Sequence, residues 1–239
     1  MQRLALLLSV AWLVGCGASA PPYVTTVGVL KGGATLVVRI GSATLNVYQP
    51  ASGQRRDLFT ISATAVAKST PPPAPRLRVA PLGVTVDAPD ALQSLLVRVP
   101  DGVNLVVESR RGDVNVTDIN GNARIVAARG NVTLMLPGYA QAAVGQGNLF
   151  VTIGASDWPG TLHFSTQRGD VTLRISAKAD FEVHLHTGQG TLFTDFALRG
   201  TSQGESETID GSVNGGSARR IDVESAMGAV RLLRLQPQP

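Results

Sequence analysis

Val103-Asn104-Leu105-Val106-Val107-Glu108-Ser109-Arg110-Arg111-Gly112-Asp113-Val114-Asn115-Val116 is the stretch that decides the fold. Val103, Leu105 and Val107 alternate with polar residues before Gly112, and Val114 and Val116 alternate with them after it. Successive side chains of a strand point to opposite faces, so this alternation is what a strand buried on one face requires. Alternation on both sides of one glycine reads as strand, tight turn, strand. The pattern recurs around Gly130, Gly147, Gly169, Gly190 and Gly228, at spacings of 18, 17, 22, 21 and 38 residues. Before those glycines come Ala123, Ile125 and Ala127; Leu162 and Phe164; Phe181, Val183 and Leu185; Ile221 and Val223. After them come Val132 and Leu134; Leu149 and Val151; Val171 and Leu173; Leu192 and Phe196; Val230 and Leu232.

Further glycines at 102, 121, 138, 160 and 200 mark a second turn per unit. Two turns in a unit of about 20 residues suggest a coil that stacks on the next at about 4.8 Å. One coil cannot bury its apolar face, whereas stacked coils share a narrow core. The expected fold is therefore all-β, a β-solenoid or β-helix-like stack of two-stranded coils, six or seven in number and about 30 Å long. The 38-residue gap is expected to hold two coils with an irregular middle. A β-sandwich of short hairpins is the alternative, since strands at this spacing fit it too.

Composition narrows the function classes. In 239 residues there is one Cys, so neither a disulfide framework nor a Cys-rich metal cluster is available. Three His and 5% aromatics suit neither a haem pocket nor an aromatic stacking surface, and no cofactor is expected. No P-loop, dinucleotide fingerprint or Ser/His/Asp arrangement occurs. The 44% apolar content is that of a folded chain. A net charge of +4 is too mild to argue for nucleic acid.

The first residues read as an address. Met1-Gln2-Arg3 is a short basic region and Leu4–Val14 an apolar run too short to span a bilayer, which needs about 20 residues. The run ends in Leu13-Val14-Gly15-Cys16, which resembles the bacterial lipobox. The resemblance implies cleavage before Cys16 and acylation of its thiol, palmitate included. At about 0.8 kcal/mol per buried methylene, several acyl chains hold a protein at a membrane. Gly17, where an Asp would signal retention, implies an outer-membrane destination. The expected organisation is a signal peptide at 1–15, a tether at 16–22, an N-terminal β segment at 23–68, a Pro-rich connector at 69–75 and the repeat domain at 76–235.

The repeat units also carry a family resemblance. Arg111-Gly112-Asp113-Val114, Arg129-Gly130-Asn131-Val132, Arg168-Gly169-Asp170-Val171, Asp210-Gly211-Ser212-Val213-Asn214-Gly215-Gly216 and Met227-Gly228-Ala229-Val230 resemble the bacterial "putative adhesin" family of envelope proteins. The likeness covers about residues 80–235. It implies a β-solenoid and brings no catalytic residues.

Several side chains are candidates for chemistry. Arg111, Arg129 and Arg168 precede equivalent glycines, with Arg110 adjoining, and stacking is expected to line them into a basic ridge for phosphates or uronic acids. The two Arg-Gly-Asp triplets are expected to be turns, Gly supplying the backbone angle and Asp the cap. His163 and His184 each stand six residues before a repeat glycine, which places them on adjacent coils. With His186 and Glu182 on the same face they form a candidate Zn²⁺ or Cu²⁺ site. Asp222 with Glu224, and Glu205 with Glu207, are the paired carboxylates that a polysaccharide-cleaving enzyme would need. The function expected is a lipid-anchored, non-enzymatic, adhesin-like module for an envelope protein or surface glycan. A structural or assembly lipoprotein and a carbohydrate-active enzyme are the alternatives.

Overall fold

The computed structural model describes residues 23–49, 57–65, 72–155, 158–216 and 218–235. The leader, Cys16, the tether and the start of the connector lie outside them. The described residues form twenty-one strands and no helix. In chain order these are β1 (Tyr23–Val29), β2 (Thr35–Ser42), β3 (Thr44–Tyr48), β4 (Leu58–Ala65), β5 (Arg76–Ala80), β6 (Gly83–Ala88) and β7 (Leu92–Arg98). Next come β8 (Asn104–Arg111), β9 (Val114–Thr117), β10 (Ala123–Arg129), β11 (Val132–Leu136), β12 (Ala140–Gln146), β13 (Leu149–Ile153), β14 (Thr161–Arg168) and β15 (Val171–Ser176). Last are β16 (Phe181–Gln189), β17 (Leu192–Thr194), β18 (Gly200–Gln203), β19 (Ser206–Val213), β20 (Arg220–Met227) and β21 (Val230–Leu235).

Each repeat unit contributes one strand to each of two facing sheets, of ten and eleven strands. Along the stack the strands are parallel and in register: Val132 pairs with Val114 on one side and Leu149 on the other, and Ile125 with Val107 and Ala142. The apolar residues read from the alternation are the core. Leu105, Val107, Val114, Val116, Leu134, Leu149, Leu173 and Phe164 are all buried. The two-stranded coil stack is thus the fold, and its two sheets are built by coiling rather than by antiparallel hairpins.

The turns dictate the stacking. The N–H of Gly130 donates to the carbonyl of Gln146, and that of Gly147 to Arg168, so the ladder runs unbroken through the bend. A Cβ added to Gly130 would stand 2.2 Å from the Gly112 carbonyl oxygen, and one added to Gly147 would stand 2.1 Å from that of Gly130. Both glycines also have φ in the left-handed region, at 125° and 139°.

The order of coils differs from the order of the chain at both ends. In space the eight coils found among the described residues run β6–β7, β2–β3, β8–β9, β10–β11, β12–β13, β14–β15, β20–β21, β16–β17, and are numbered 1 to 8 here. Coil 2, from the segment expected as an N-terminal β cap, sits inside the stack, with β2 between β6 and β8. The connector therefore divides the sequence but not the core. Capping falls to β1 and β4, antiparallel on β7, and to β5, antiparallel on β6.

At the other end the last coil inserts between coils 6 and 8, with β20 pairing to both β14 and β16. The 38-residue gap holds no second regular coil; it holds the antiparallel strands β18 and β19, which extend the sheet beyond β16. An aromatic group closes this end: Phe181 lies 5.9 Å from Trp158 and 5.7 Å, edge-on, from Phe196.

Gly147→Ala is expected to cost about 2–4 kcal/mol, the range for a backbone clash combined with a strained φ. Gly138 has open space around it. Gly138→Ala should therefore stay within about 0.5 kcal/mol of wild type in a urea titration. Equal losses at the two positions would contradict the turn geometry described here.

Candidate functional site

Stacking turns each sequence position into a column of like positions, so the outer surface is written one residue per coil. In the column just after the turn glycine, Asp113 Oδ1 accepts the N–H of Asn131 at 2.8 Å, and Asn131 Oδ1 that of Asn148 at 2.9 Å. Asn148 Oδ1 accepts the N–H of Asp170, and Asp170 Oδ1 that of Ala229, each at 2.9 Å. The aspartates of both Arg-Gly-Asp triplets are therefore bound into the turn ladder, as their turn role requires. Asp170 also holds Arg231 at 2.9 Å. The hydrogen bond from Arg231, and then that from the Ala229 N–H, draw the Asp170 carboxyl below its ordinary 3.8, with burial opposing.

The candidate metal set is not brought together. His163 and His184 were expected on adjacent coils, but Asp222 of the inserted coil pairs with both. His163 thus stands two strand spacings, about 9.6 Å, from His184. His184 Nδ1 is 2.7 Å from Asp210 Oδ1, and His186 Nδ1 is 3.1 Å from Thr208 Oγ1. The two rings lie parallel with centroids 6.4 Å apart. Glu182 faces Arg220 on one side and Ser212 on the other. Among the described residues no group of three His, Cys, Asp or Glu is placed to hold a metal ion. The insertion of β20 is the physical reason.

Three of the four paired carboxylates have other partners, and Glu224 lines an open depression. Asp222 takes a hydrogen bond from Arg220 at 2.6 Å, which raises the guanidinium pKa further. Glu205 accepts from Gln189, and Glu207 from the N–H of Leu192.

The arginines form an interrupted wall. Arg111 and Arg129 are neighbours, the register running Ala127 to Ser109 with the Gly112 N–H on the Arg129 carbonyl. Gln146 then stands between Arg129 and Arg168, pairing with each. Arg110 is apart from this wall, its Nη2 donating to both carboxylate oxygens of Asp90 at 3.1 and 3.2 Å.

Beside the wall runs a trough that the repeat reading did not identify. In each coil the strand pairing skips the second residue before the turn: Ala127 pairs with Val144 and Arg129 with Gln146, but Ala128 does not pair with Gly145. The same skip occurs between β12 and β14, between β16 and β20 and between β2 and β8. The sheet bends there. Small residues occupy most of the bend: Gly41, Ala128, Gly145, Ala226 and Gly188. A Cβ on Gly145 would meet the Ala128 carbonyl oxygen at 2.6 Å.

Three open depressions follow the bend and share residues end to end. Their volumes are about 850 Å³ over coils 4–8, 530 Å³ over coils 1–4 and 270 Å³ beside Pro73 and Arg76. Seven steps of about 4.8 Å make the trough about 34 Å long. It crosses the strands at right angles. The small-residue column was visible in the glycine alignment, but a run of Ala and Gly carries no chemical signature of its own.

No family model and no curated protein matches the sequence. Three solved structures are similar to it. One, named a "putative cell adhesion protein", from Clostridium sporogenes, shares 11% identity over 88% of this chain and 99% of its own, with a TM-score of 0.46. A "putative adhesin" from Bacteroides fragilis shares 11% over 90% and 98%, with a TM-score of 0.42. A "putative adhesin" from Parabacteroides merdae shares 9% over 90% and 97%, with a TM-score of 0.23. At such identities and scores none of the three carries a functional conclusion, and the surface has to supply one.

The Asp170 geometry predicts a specific acid response. A carboxyl whose folded pKa is lowered adds stability that is complete above its unfolded value and is lost as pH falls through the folded one. Asp170→Asn keeps the acceptor for Ala229, as Asn131 and Asn148 do, and gives up only the Arg231 pair, about 0–1 kcal/mol at neutral pH. Asp170→Ala should lose about 1 kcal/mol more, through the unmet N–H. The gap between wild type and Asp170→Asn in urea midpoint should close well below pH 3.8. A gap that stays constant across that range would contradict the assignment.

Proposed function

We propose that this chain is a lipid-anchored module of the bacterial cell envelope that acts by binding an extended ligand along the trough. The observation that carries this reading is the trough itself: an open, axis-long depression floored by backbone and small side chains, with a different polar edge on each coil. It is too shallow to enclose a small molecule, whose pockets bury most of the ligand. The lipobox-like Leu13-Val14-Gly15-Cys16 supplies the anchor and the address. No described helix is long and apolar enough to cross a membrane.

The sheet ends speak against the assembly alternative. End-to-end stacking of solenoids needs free strand edges. Here one sheet ends in the five-residue β5, with Arg76 and Arg78, and in the four-residue, fully exposed β18. The other ends in the three-residue β17 and in β1, seven residues long and antiparallel to β4. Short, polar or antiparallel terminal strands are a standard defence against edge pairing. The enzyme alternative finds three of its four carboxylates engaged by Arg220, Gln189 and the Leu192 N–H, which leaves Glu224 on the trough without a free partner acid.

Two measurements test the proposal. Radiolabelled palmitate should enter the wild type and not Cys16→Ala; label in both would remove the anchor. Ala128→Gln fills the trough with a residue that the same column already accommodates at Gln167. It should lower retention of the Cys16→Ala chain on isolated cell envelopes several-fold, while Thr133→Gln on the opposite sheet leaves retention unchanged. The reverse pattern would move the binding surface to the other face.

A further inference from the structure

We propose that the ligand of the trough is a linear glycan carrying carboxylates, a polyuronate, seated over coils 4 to 6. This rests on the trough being the contact surface and adds its chemistry.

Backbone hydrogen bonding decides first between a peptide and a sugar chain. A peptide gains affinity on a sheet by adding main-chain hydrogen bonds at an edge. The trough is not an edge. It crosses the strands, and the turn N–H groups beside it are spent between coils, as Gly130 N–H to Gln146 and Gly147 N–H to Arg168 show. A ligand here has to be recognised by side chains. The side chains offered over coils 4 to 6 are the amides of Gln146 and Gln167, the hydroxyl of Ser165 and the guanidinium groups of Arg129 and Arg168. Such donors and acceptors match hydroxyl and carboxylate groups.

Charge then selects the kind of glycan. Over coils 1 to 3 the charges mostly satisfy one another: Arg39 lies 2.9 Å from Glu108 and 4.0 Å from Asp87, and Arg110 lies 3.1 Å from Asp90, while Arg111, beside Arg129, is exposed with no ion-pair partner among the described residues. Over coils 4 to 6 they do not. Arg129 and Arg168 are exposed and have no ion-pair partner among the described residues. The facing wall there is Val126, Ala143 and Ser165, without charge. Glu224 on coil 7 ends the favourable stretch with a repulsive group.

Arg129 and Arg168 stand two coils apart, about 9.6 Å at the backbone. Each offers one planar fork, the geometry that a single carboxylate meets with two parallel hydrogen bonds. With Arg111 one coil before Arg129, the free arginines are spread along the axis over coils 3, 4 and 6, a spacing that suits a polymer bearing one carboxylate per sugar.

Fluorescently labelled oligogalacturonate, and the same oligomer fully methyl-esterified, provide the test with the full-length chain in detergent. The acid form should bind, weaken as salt rises, and outbind the ester at least tenfold. Arg129→Gln and Arg168→Gln should each weaken it about tenfold, the loss of one charge-assisted contact. Ala128→Gln should abolish binding. Arg174→Gln, an exposed arginine on the opposite sheet, should change nothing. Equal binding of acid and ester, or an equal loss at Arg174, would overturn the proposal.

Failure of both oligomers to bind would also overturn it, and the envelope-retention measurement then separates two cases. If Ala128→Gln still lowers retention, the trough is the surface and only its ligand chemistry is wrong. If Ala128→Gln leaves retention unchanged, the trough reading falls with it.

Discussion

A carbonyl oxygen in one turn occupies the space where the next turn would carry a Cβ. That contact, repeated from Ala43 through Gly112, Gly130, Gly147, Gly169 and Gly228 to Gly190, fixes the spacing and register of coils 2 to 8. Once turns stack this closely, the N–H of each turn glycine can only meet the carbonyl of its neighbour, and the strands on either side are carried into parallel register. Side chains then fall into columns. Inward columns become a two-sheet core of Val, Leu, Ile and Ala, and outward columns become a surface on which one sequence position is repeated along an axis.

The surface inherits its character from this geometry. Interstrand hydrogen bonds run along the axis, so the backbone groups of the stacked strands are met by neighbouring coils, and three of the four terminal strands, β5, β17 and β18, are short. Recognition is left to side chains on a rigid frame, where sites are held more closely than on loops. The bend before each turn, kept narrow by Ala128, Gly145, Ala226 and Gly188, converts a flat face into a trough. Its arginine wall is uneven because Gln146, Met227 and Gln189 take the same position on other coils. That unevenness confines the free positive charge to a short stretch.

Much of this was legible in the sequence. Alternation around Gly112 and its equivalents gave strand pairs, inward residues and the turn role of both Arg-Gly-Asp triplets, because these depend only on local chain geometry. What was hidden depends on contacts between distant segments. Coil 1 carries no glycine at its Pro89-Asp90-Ala91 turn, and coil 2 has Ala43 where the others have glycine, so an alignment on glycines passes over both. Nothing local tells that β20 inserts between β14 and β16. That single placement separates His163 from His184 and dissolves the expected metal set. The arginines were expected to line into a basic ridge, and Gln146, visible in the same alignment, stands between Arg129 and Arg168 in it.

The order of coils at the C-terminal end is the most exposed point of the account, since the columns over coils 6 to 8 depend on it. Disulfide trapping reads it directly, in a Cys16→Ala background that leaves no native thiol. Cysteines at paired positions of neighbouring parallel strands lie within the Cα range of about 4.4–6.8 Å that a disulfide accepts, and cysteines two strands apart do not. Under mild oxidation His163→Cys with Asp222→Cys should cross-link and His163→Cys with His184→Cys should not. Cross-linking of the second pair and not the first would show coil 8 seated directly on coil 6, and would contradict the stack described here.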